Sequence, residues 1–134
     1  MPELASLNWL AILVATVAGF MIGGIWYGPL FGKAWMNALG KTEEDIQPSP
    51  APFVISFVTA AITAIVLAAL MPIAGVVGAV NGALFGLAVG IGFIATAMAS
   101  DAAFCGWPTA LWAIQAGYRV TYSVVMGAIL AAWT

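Results

Sequence analysis

Long stretches without charge constrain this chain more than any other feature. Residues 4–32, 46–100 and 102–118 contain no Asp, Glu, Lys or Arg. A helix needs about 20 predominantly apolar residues to cross the hydrocarbon core of a bilayer. The sequence therefore predicts an integral membrane protein whose spans are helices.

The overall composition agrees with this interpretation and excludes several classes of protein. Of the 134 residues, 64% are hydrophobic and only 6% are charged, whereas a soluble domain carries about 25% charged residues. A soluble enzyme and a disordered tail are both excluded. With only three Lys and Arg residues, the chain has no basic patch, so no nucleic-acid partner is expected.

The chemistry that the chain could carry is limited by missing residue types. It has no His and a single cysteine, Cys105, so a His-ligated metal, a His general base and an internal disulfide are all excluded. No glycine loop that could hold a phosphate is present. We expect no metal, no cofactor and no catalytic residue, and we do not expect an enzyme. The N-terminus lacks the basic start of a secretory signal, so the first apolar stretch is expected to be a retained span.

Four spans are predicted within a single transmembrane domain of residues 1–134. Gly28 and Pro29 are expected to end the first span, and Pro72 to close the second. Because residues 73–78 form only a short turn, the second and third spans are expected to be antiparallel neighbours. The expected fold is all-α, an antiparallel up-down bundle of four transmembrane helices over about 7–27, 52–71, 79–99 and 108–133.

The first loop is the one sizeable polar segment. Residues 33–39 have the pattern of a short helix lying in the membrane interface, ended by Gly40, and Thr42 to Asp45 have the pattern of a second helix start. Because Lys33 and Lys41 are the only cations in any loop, the first loop and the loop at Asp101 are expected in the cytoplasm, with both termini outside. So weak a bias is also typical of a protein that inserts in both orientations.

Aromatic residues are expected to mark the membrane surfaces. Trp26, Tyr27 and Trp35 lie around the predicted end of the first span, where Trp and Tyr collect at the interface, and Lys33 beside them could reach lipid phosphate. A binding role for this stretch is the alternative to a purely structural turn. Trp112 is instead expected to pack inside the bundle.

Small residues recur at every fourth position in the predicted spans. Such spacing keeps them on one side of a helix, where they let two backbones approach closely. These stripes predict a tight bundle, and they exceed what four helices need internally, so we also expect a subunit interface in a homo-oligomer or in a larger membrane complex. The packing glycines are Gly19 and Gly23 in the first span and Gly78, Gly82, Gly86 and Gly90, a glycine zipper, in the third.

Arg119 lies about a dozen residues into the fourth span, and it has polar neighbours at helical spacing. Gln115, Tyr118, Arg119 and Tyr122 share one face. If Trp107 marks the interface, Arg119 lies about 18 Å deep, and if Trp112 does, about 10 Å. There are two alternatives for the arginine side chain. It lies inside the bundle, where it is buried or in contact with water, or it snorkels along the helix to the membrane surface. Asp101 could meet it only if the side chain reaches toward that surface.

Several stretches of the chain resemble a known family. They are Asn8 to Leu10, Trp26 to Met36, Thr42 to Asp45, Ala116 to Tyr118 and Met126 to Leu130. Together they resemble the small bacterial four-span proteins catalogued as domain of unknown function 1761. The resemblance implies a multi-pass protein of the bacterial cytoplasmic membrane and no particular activity.

Two functions fit these features. The first is a structural one, a homo-oligomeric bundle or an accessory subunit that scaffolds a membrane complex. The alternative is a small transporter or channel that uses the polar face around Arg119. Because the first span lacks an embedded acid, export of cations does not fit, and an anion or a neutral solute is the expected substrate.

Overall fold

The computed structural model of the protein describes residues 4–41 and 49–133, and these consist of helices and turns without a β-strand. The predicted helix start at Thr42 to Asp45 lies outside the described residues. A short 3₁₀ turn, Leu4–Ser6, precedes the first helix, and wide π-helical turns follow α1 at Trp26–Leu30 and join α4 to α5 at Gly90–Ala95. The helices are α1 (Trp9–Ile25), α2 (Gly32–Leu39), α3 (Ala51–Ala74), α4 (Ala79–Val89), α5 (Thr96–Cys105) and α6 (Thr109–Ala132).

Glycines in the left-handed conformation end three of these helices. Gly40 follows α2 with φ of 73°, as the sequence predicts, and Gly75 and Gly106 follow α3 and α5 in the same way. The prediction that Pro72 closes the second span is wrong, since Pro72 lies inside the last turn of α3. The helix ends only where Gly75 adopts a positive φ, which most other residues avoid.

Three helical segments are long and apolar enough to cross a membrane. They are Trp9–Leu30, Ala51–Ala74 and Ala79–Cys105. The helix at the position of the predicted fourth span, α6, is not among them, although it is as long as α3, with 24 residues. The structure therefore supports a membrane protein, and it distinguishes α6 from the other three segments.

The third segment extends further than the sequence suggests. Its last part, α5, continues past Ala99 to Cys105 and contains Asp101, which is exposed on the helix. The prediction that Asp101 lies in a loop is wrong. Alanines dominate α5, and the first helix-breaking residue after Asp101 is Gly106, so nothing in the sequence stops the helix earlier.

Helix α6 lies at the centre of the fold and packs against α1, α3 and α4. Ten of its residues are buried, compared with five in α3. The core is shared by α1, α3 and α6 and consists of Ala11, Ile12, Ala15, Ala60, Ala64, Leu67, Met71, Tyr118, Tyr122, Met126, Leu130 and Ala131.

The second and third spans, expected to be antiparallel neighbours, face each other across a cleft rather than packing backbone to backbone. Helix α3 packs against α1 and α6, while α4 packs closely against α6. Between α3 and α4 lies an open apolar cleft of about 330 Å³, with Leu70 and Ile73 on one side and Phe85 and Phe93 on the other. A short turn keeps two helix ends near each other, but the small residues of α4 face α6 and draw the backbone of α4 there.

Three glycines of α4 and the turn after it allow this contact. A Cβ atom added at Gly82 would overlap the Gly127 carbonyl, one at Gly86 would overlap the Ser123 carbonyl, and one at Gly90 would lie 2.9 Å from the Val120 Cα. Because rising numbers on α4 meet falling numbers on α6, these helices are antiparallel.

Gly78, which the sequence places in the same stripe, does not take part in the α4–α6 contact. It precedes α4 with φ of 87°, and a Cβ atom added there would meet nothing within 4 Å. Its role is conformational, because a left-handed residue is needed where the chain enters α4.

Candidate functional site

Three tyrosines and Arg119 form a cluster where the end of α1, the start of α2 and the middle of α6 meet. The rings of Tyr27 and Tyr118 are 5.4 Å apart and those of Tyr118 and Tyr122 are 5.0 Å apart, both edge to face. The Trp35 ring of α2 lies 5.0 Å from Tyr27. We call Tyr27, Trp35, Tyr118, Arg119 and Tyr122 the tyrosine–arginine cluster.

Glycines of α1 make room for the cluster. A Cβ atom added at Gly23 would lie 2.9 Å from the Tyr118 hydroxyl oxygen, and one at Gly19 would collide with the end of the Met126 side chain. The Tyr118 hydroxyl donates to the Gly19 carbonyl at 3.0 Å. Both packing glycines predicted for the first span thus lie in the contact between α1 and α6.

The turn after α1 brings Tyr27 and Trp35 together. Gly28 has non-helical φ and ψ of −100° and −105°, and Pro29 follows it. This bend turns the chain from α1 into α2, so that Trp35 of α2 comes back over Tyr27. A glycine and a proline in succession permit a kink that an uninterrupted helix would not make.

Trp26 anchors the same turn to α6. Its indole N–H donates to the Ile114 carbonyl at 2.8 Å, and the ring lies against Gly117, where an added Cβ atom would be 3.1 Å from the indole Cζ2. The predicted membrane-surface location of Trp26 and Tyr27 stays a prediction. The structure adds that both side chains contact α6: Trp26 donates to the Ile114 carbonyl, and the Tyr27 ring packs against Tyr118.

Arg119 is half-buried, and its described contacts are aromatic. The guanidinium donates from Nη1 to the Tyr122 hydroxyl at 3.3 Å, and its Cζ lies 5.3 Å and 5.5 Å from the ring centroids of Tyr118 and Tyr122. Cation–π attraction of this kind is worth about 0.5–2 kcal/mol, depending on desolvation. Asp101 lies exposed in α5, and within the described residues no carboxylate pairs with Arg119.

The structure also places Gln115 beside α2. Its side-chain oxygen accepts from the Trp35 indole N–H at 3.3 Å. Of the four residues predicted to share one face of α6, Tyr118 and Tyr122 are buried against α1, while Gln115 and Arg119 are half-buried. Lys33 is exposed on α2 and makes no described contact with the cluster.

Sequence reasoning missed the partners that α6 supplies to α1 and α2. The hydrogen bonds from Trp26 and Trp35 join residues far apart in the sequence, and no local pattern predicts them. The one available signal is chemical, since an indole N–H that leaves water needs an acceptor. Trp112, which the sequence predicts to pack inside the bundle, is half-buried, and its indole donates to the Ala95 carbonyl at 3.1 Å.

The cluster offers a positive charge and hydroxyl donors on apolar walls. No group of three His, Cys, Asp or Glu residues that could hold a metal ion occurs in the parts of the chain that the structure describes. Such a set of donors can orient an anion or a neutral acceptor, but its described members include no carboxylate and no imidazole that could move a proton.

Comparison with known proteins gives one match. The model of a family described as "Protein of unknown function (DUF1761)" matches residues 10–131. Neither a curated protein nor a solved structure is significantly similar to the chain. The match spans all five residues of the tyrosine–arginine cluster.

Proposed function

The chain belongs to the DUF1761 family, and we propose that it is a four-span membrane protein with a structural role, as a homo-oligomer or an accessory subunit of a larger complex. The observation that carries the proposal is the central position of α6. This helix carries Gln115, Arg119 and two tyrosines, and α1, α3 and α4 pack against it. A helix that packs against three apolar helices can cross a bilayer even though it is less apolar than a span that faces lipid.

The lengths and directions of the helices support four spans. At about 1.5 Å per residue, α6 extends for about 36 Å, which exceeds a hydrocarbon core of about 30 Å. It is antiparallel to α4, and also to α1, because Asn8 reaches the Trp133 carbonyl while Trp26 reaches Ile114. The turn after α3 reverses the chain once more, which gives an up-down bundle with both termini on one side.

The membrane and the orientation follow from sequence. We place the protein in the bacterial cytoplasmic membrane, with α2 on the cytoplasmic side, since Lys33 lies in that helix, Lys41 follows it, and the positive-inside rule applies to short loops.

A filled interior supports a structural role over a catalytic one. Leu67 and Met126 are fully buried in the core, and the backbones of α4 and α6 touch at Gly86 and Ser123. The hydroxyls are used locally, because those of Thr16 and Ser123 donate to carbonyls of their own helices at 2.7 Å and 2.8 Å. Hydroxyls engaged in this way are satisfied within their own helices and are not poised as nucleophiles.

An outward stripe of small residues supports association with a second copy. Gly92, Thr96 and Ser100 are exposed on the α4–α5 segment, and the Thr96 hydroxyl donates to the Gly92 carbonyl at 2.8 Å, so these residues follow one side of the helix. Small residues at this spacing let helices of two molecules approach closely in lipid.

The experiment compares two substitutions of exposed helical glycines. Gly92→Leu places a large side chain on the outward stripe, while Gly24→Leu does the same on α1, where an added Cβ atom also meets nothing within 4 Å. We expect Gly92→Leu to weaken self-association in lipid vesicles by about tenfold or more, measured by single-molecule photobleaching, and Gly24→Leu to leave it unchanged. Equal self-association of all three proteins would rule out the outward stripe as the interface, and a wild-type protein that stays monomeric would contradict the homo-oligomer.

Transport of an anion or a neutral solute is the second candidate, and the guanidinium of Arg119, which pairs with no carboxylate among the residues that the structure describes, favours it. An unpaired positive charge beside a pathway attracts anions and repels cations. The same vesicles distinguish the two functions, because a transporter would carry chloride or phosphate across the bilayer and a structural bundle would not.

A further inference from the structure

The environment of Arg119 contains more hydrogen-bond donors than acceptors. A guanidinium has five N–H groups, and only one described hydrogen bond uses them, the long one to Tyr122. The Tyr122 hydroxyl accepts in that bond, but Tyr122 is buried in the core. The Tyr27 hydroxyl has no described partner. A negatively charged group could accept from the remaining donors of Arg119 and from Tyr27.

These donors are open to a ligand. Every buried side-chain nitrogen or oxygen among the described residues has a hydrogen-bond partner. The N–H groups of Arg119 without a partner and the Tyr27 hydroxyl are therefore accessible from outside the protein. Tyr118, by contrast, is closed off, because it is buried and its hydroxyl donates to the Gly19 carbonyl.

The site lies near the level of α2. Gln115 touches Trp35 of α2, and Arg119 follows Gln115 by four residues, or about 6 Å along α6. In the proposed topology, on which this step rests, α2 lies along the membrane surface. The guanidinium then lies about one helical turn below that surface, which a long arginine side chain can span.

We propose that Arg119 and Tyr27 bind a phosphate group. The planar fork of arginine matches two phosphate oxygens, and the Tyr27 hydroxyl supplies a further donor to a remaining oxygen. The aromatic walls formed by Tyr27, Trp35 and Tyr118 suit an apolar continuation of the ligand. The phosphate is either that of a lipid headgroup or a soluble phosphate ion, and both would use the same donors.

The test measures binding in a neutral detergent, where topology plays no part. Native mass spectrometry would count dioleoylphosphatidylglycerol bound per chain, with a dioleoyl galactolipid that lacks phosphate as the comparison lipid. Isothermal titration with inorganic phosphate would address the soluble source. We expect about one phosphatidylglycerol per chain and no retained galactolipid. Phosphate that binds while the lipid does not would identify a soluble ligand.

Variants connect the binding to these residues. We expect Arg119→Gln to weaken binding by about tenfold or more, Arg119→Lys by several-fold because the planar fork is lost, and Tyr27→Phe by a few-fold. Lys41→Gln removes the same charge elsewhere and is expected to change nothing. If Arg119→Gln fails to fold, binding by the Arg119→Lys and Tyr27→Phe variants still tests whether the phosphate binds at these residues.

Two results would overturn the proposal. One is that the wild-type protein retains neither phosphatidylglycerol nor phosphate. The other is that Lys41→Gln weakens binding as much as the variants of the cluster, which would indicate attraction to net charge alone. Neither result bears on the number of spans or on self-association, so a failure here is distinguishable from a failure of the proposed structural role.

Discussion

Helices α3 and α6 have the same length and opposite characters. Helix α3 is almost wholly apolar, yet it exposes large side chains such as Phe53, Ile55 and Ile62, at 65%, 61% and 55%. Helix α6 carries Gln115, Arg119 and two tyrosines, yet it has twice as many buried residues. In a membrane the surroundings are as apolar as leucine, so outward faces are apolar and polar groups gain by turning inward.

The comparison also shows what holds such a protein together. Burial of apolar surface gives no driving force between helices in lipid, so the contacts of α6 depend on close backbone approach and on hydrogen bonds between helices. Glycines supply the first in its contact with α4, and Trp26 and Tyr118 supply the second in its contact with α1.

The largest expected effect comes from closing the space between α4 and α6. Gly86→Leu would force a side chain into the Ser123 backbone, so the two helices must separate. We expect the free energy of unfolding to fall by about 3 kcal/mol or more, measured by circular dichroism in mixed micelles with increasing dodecyl sulfate. Gly24→Leu, on the exposed side of α1, is the control. If both substitutions lower the free energy of unfolding equally, Gly86 does not lie in a closer helix contact than Gly24.

A smaller effect is expected from a substitution within α3 itself. Leu67 is 1% exposed and faces the core, whereas Ile62 on the same helix is 55% exposed. Leu67→Ala leaves a cavity and should cost about 2 kcal/mol of unfolding free energy, while Ile62→Ala should cost less than about 0.5 kcal/mol. Similar losses in the same unfolding assay would mean that the outer face of α3 is covered by protein rather than by lipid.

The smallest expected effect comes from removing one hydrogen bond between α6 and α1. Tyr118→Phe removes only the hydroxyl that joins α6 to the Gly19 carbonyl, and we expect a loss of about 0.6–1 kcal/mol, the usual range for such a bond in a membrane protein. Thr121→Val is the control, because its hydroxyl donates to Gly117 within α6 itself. If the two variants unfold alike, the hydrogen bond between the helices adds nothing to stability.

Part of the candidate site could be predicted from sequence. Helical spacing alone brings Gln115, Tyr118, Arg119 and Tyr122 to one side of α6, and the small residues Gly19 and Gly23 indicate a close contact of α1. Local patterns also locate the end of α2 at Gly40. These features depend on residues a few positions apart, for which the periodicity of a helix is sufficient information.

The rest of the site depends on contacts between distant residues. That Tyr27 and Trp35 join the cluster follows from the bend at Gly28 and from hydrogen bonds to α6. Gly78 has the spacing of a packing residue, but its backbone conformation removes it from the contact. The turn after α3 suggests neighbouring helices, yet α4 packs on α6 because its glycines match Ser123 and Gly127 there.

By itself, the sequence determined that this is an all-helical protein suited to a membrane, because charge-free runs of that length have no other stable environment. It determined where most helices begin and that α2 ends at Gly40, since Gly and Pro act locally on the backbone. Only the tertiary structure decided that α6 is the central helix and that Tyr27 and Trp35 join the tyrosines beside Arg119. Those outcomes depend on which helix faces fit against each other, and complementarity of shape is a property of pairs of helices that no single segment carries.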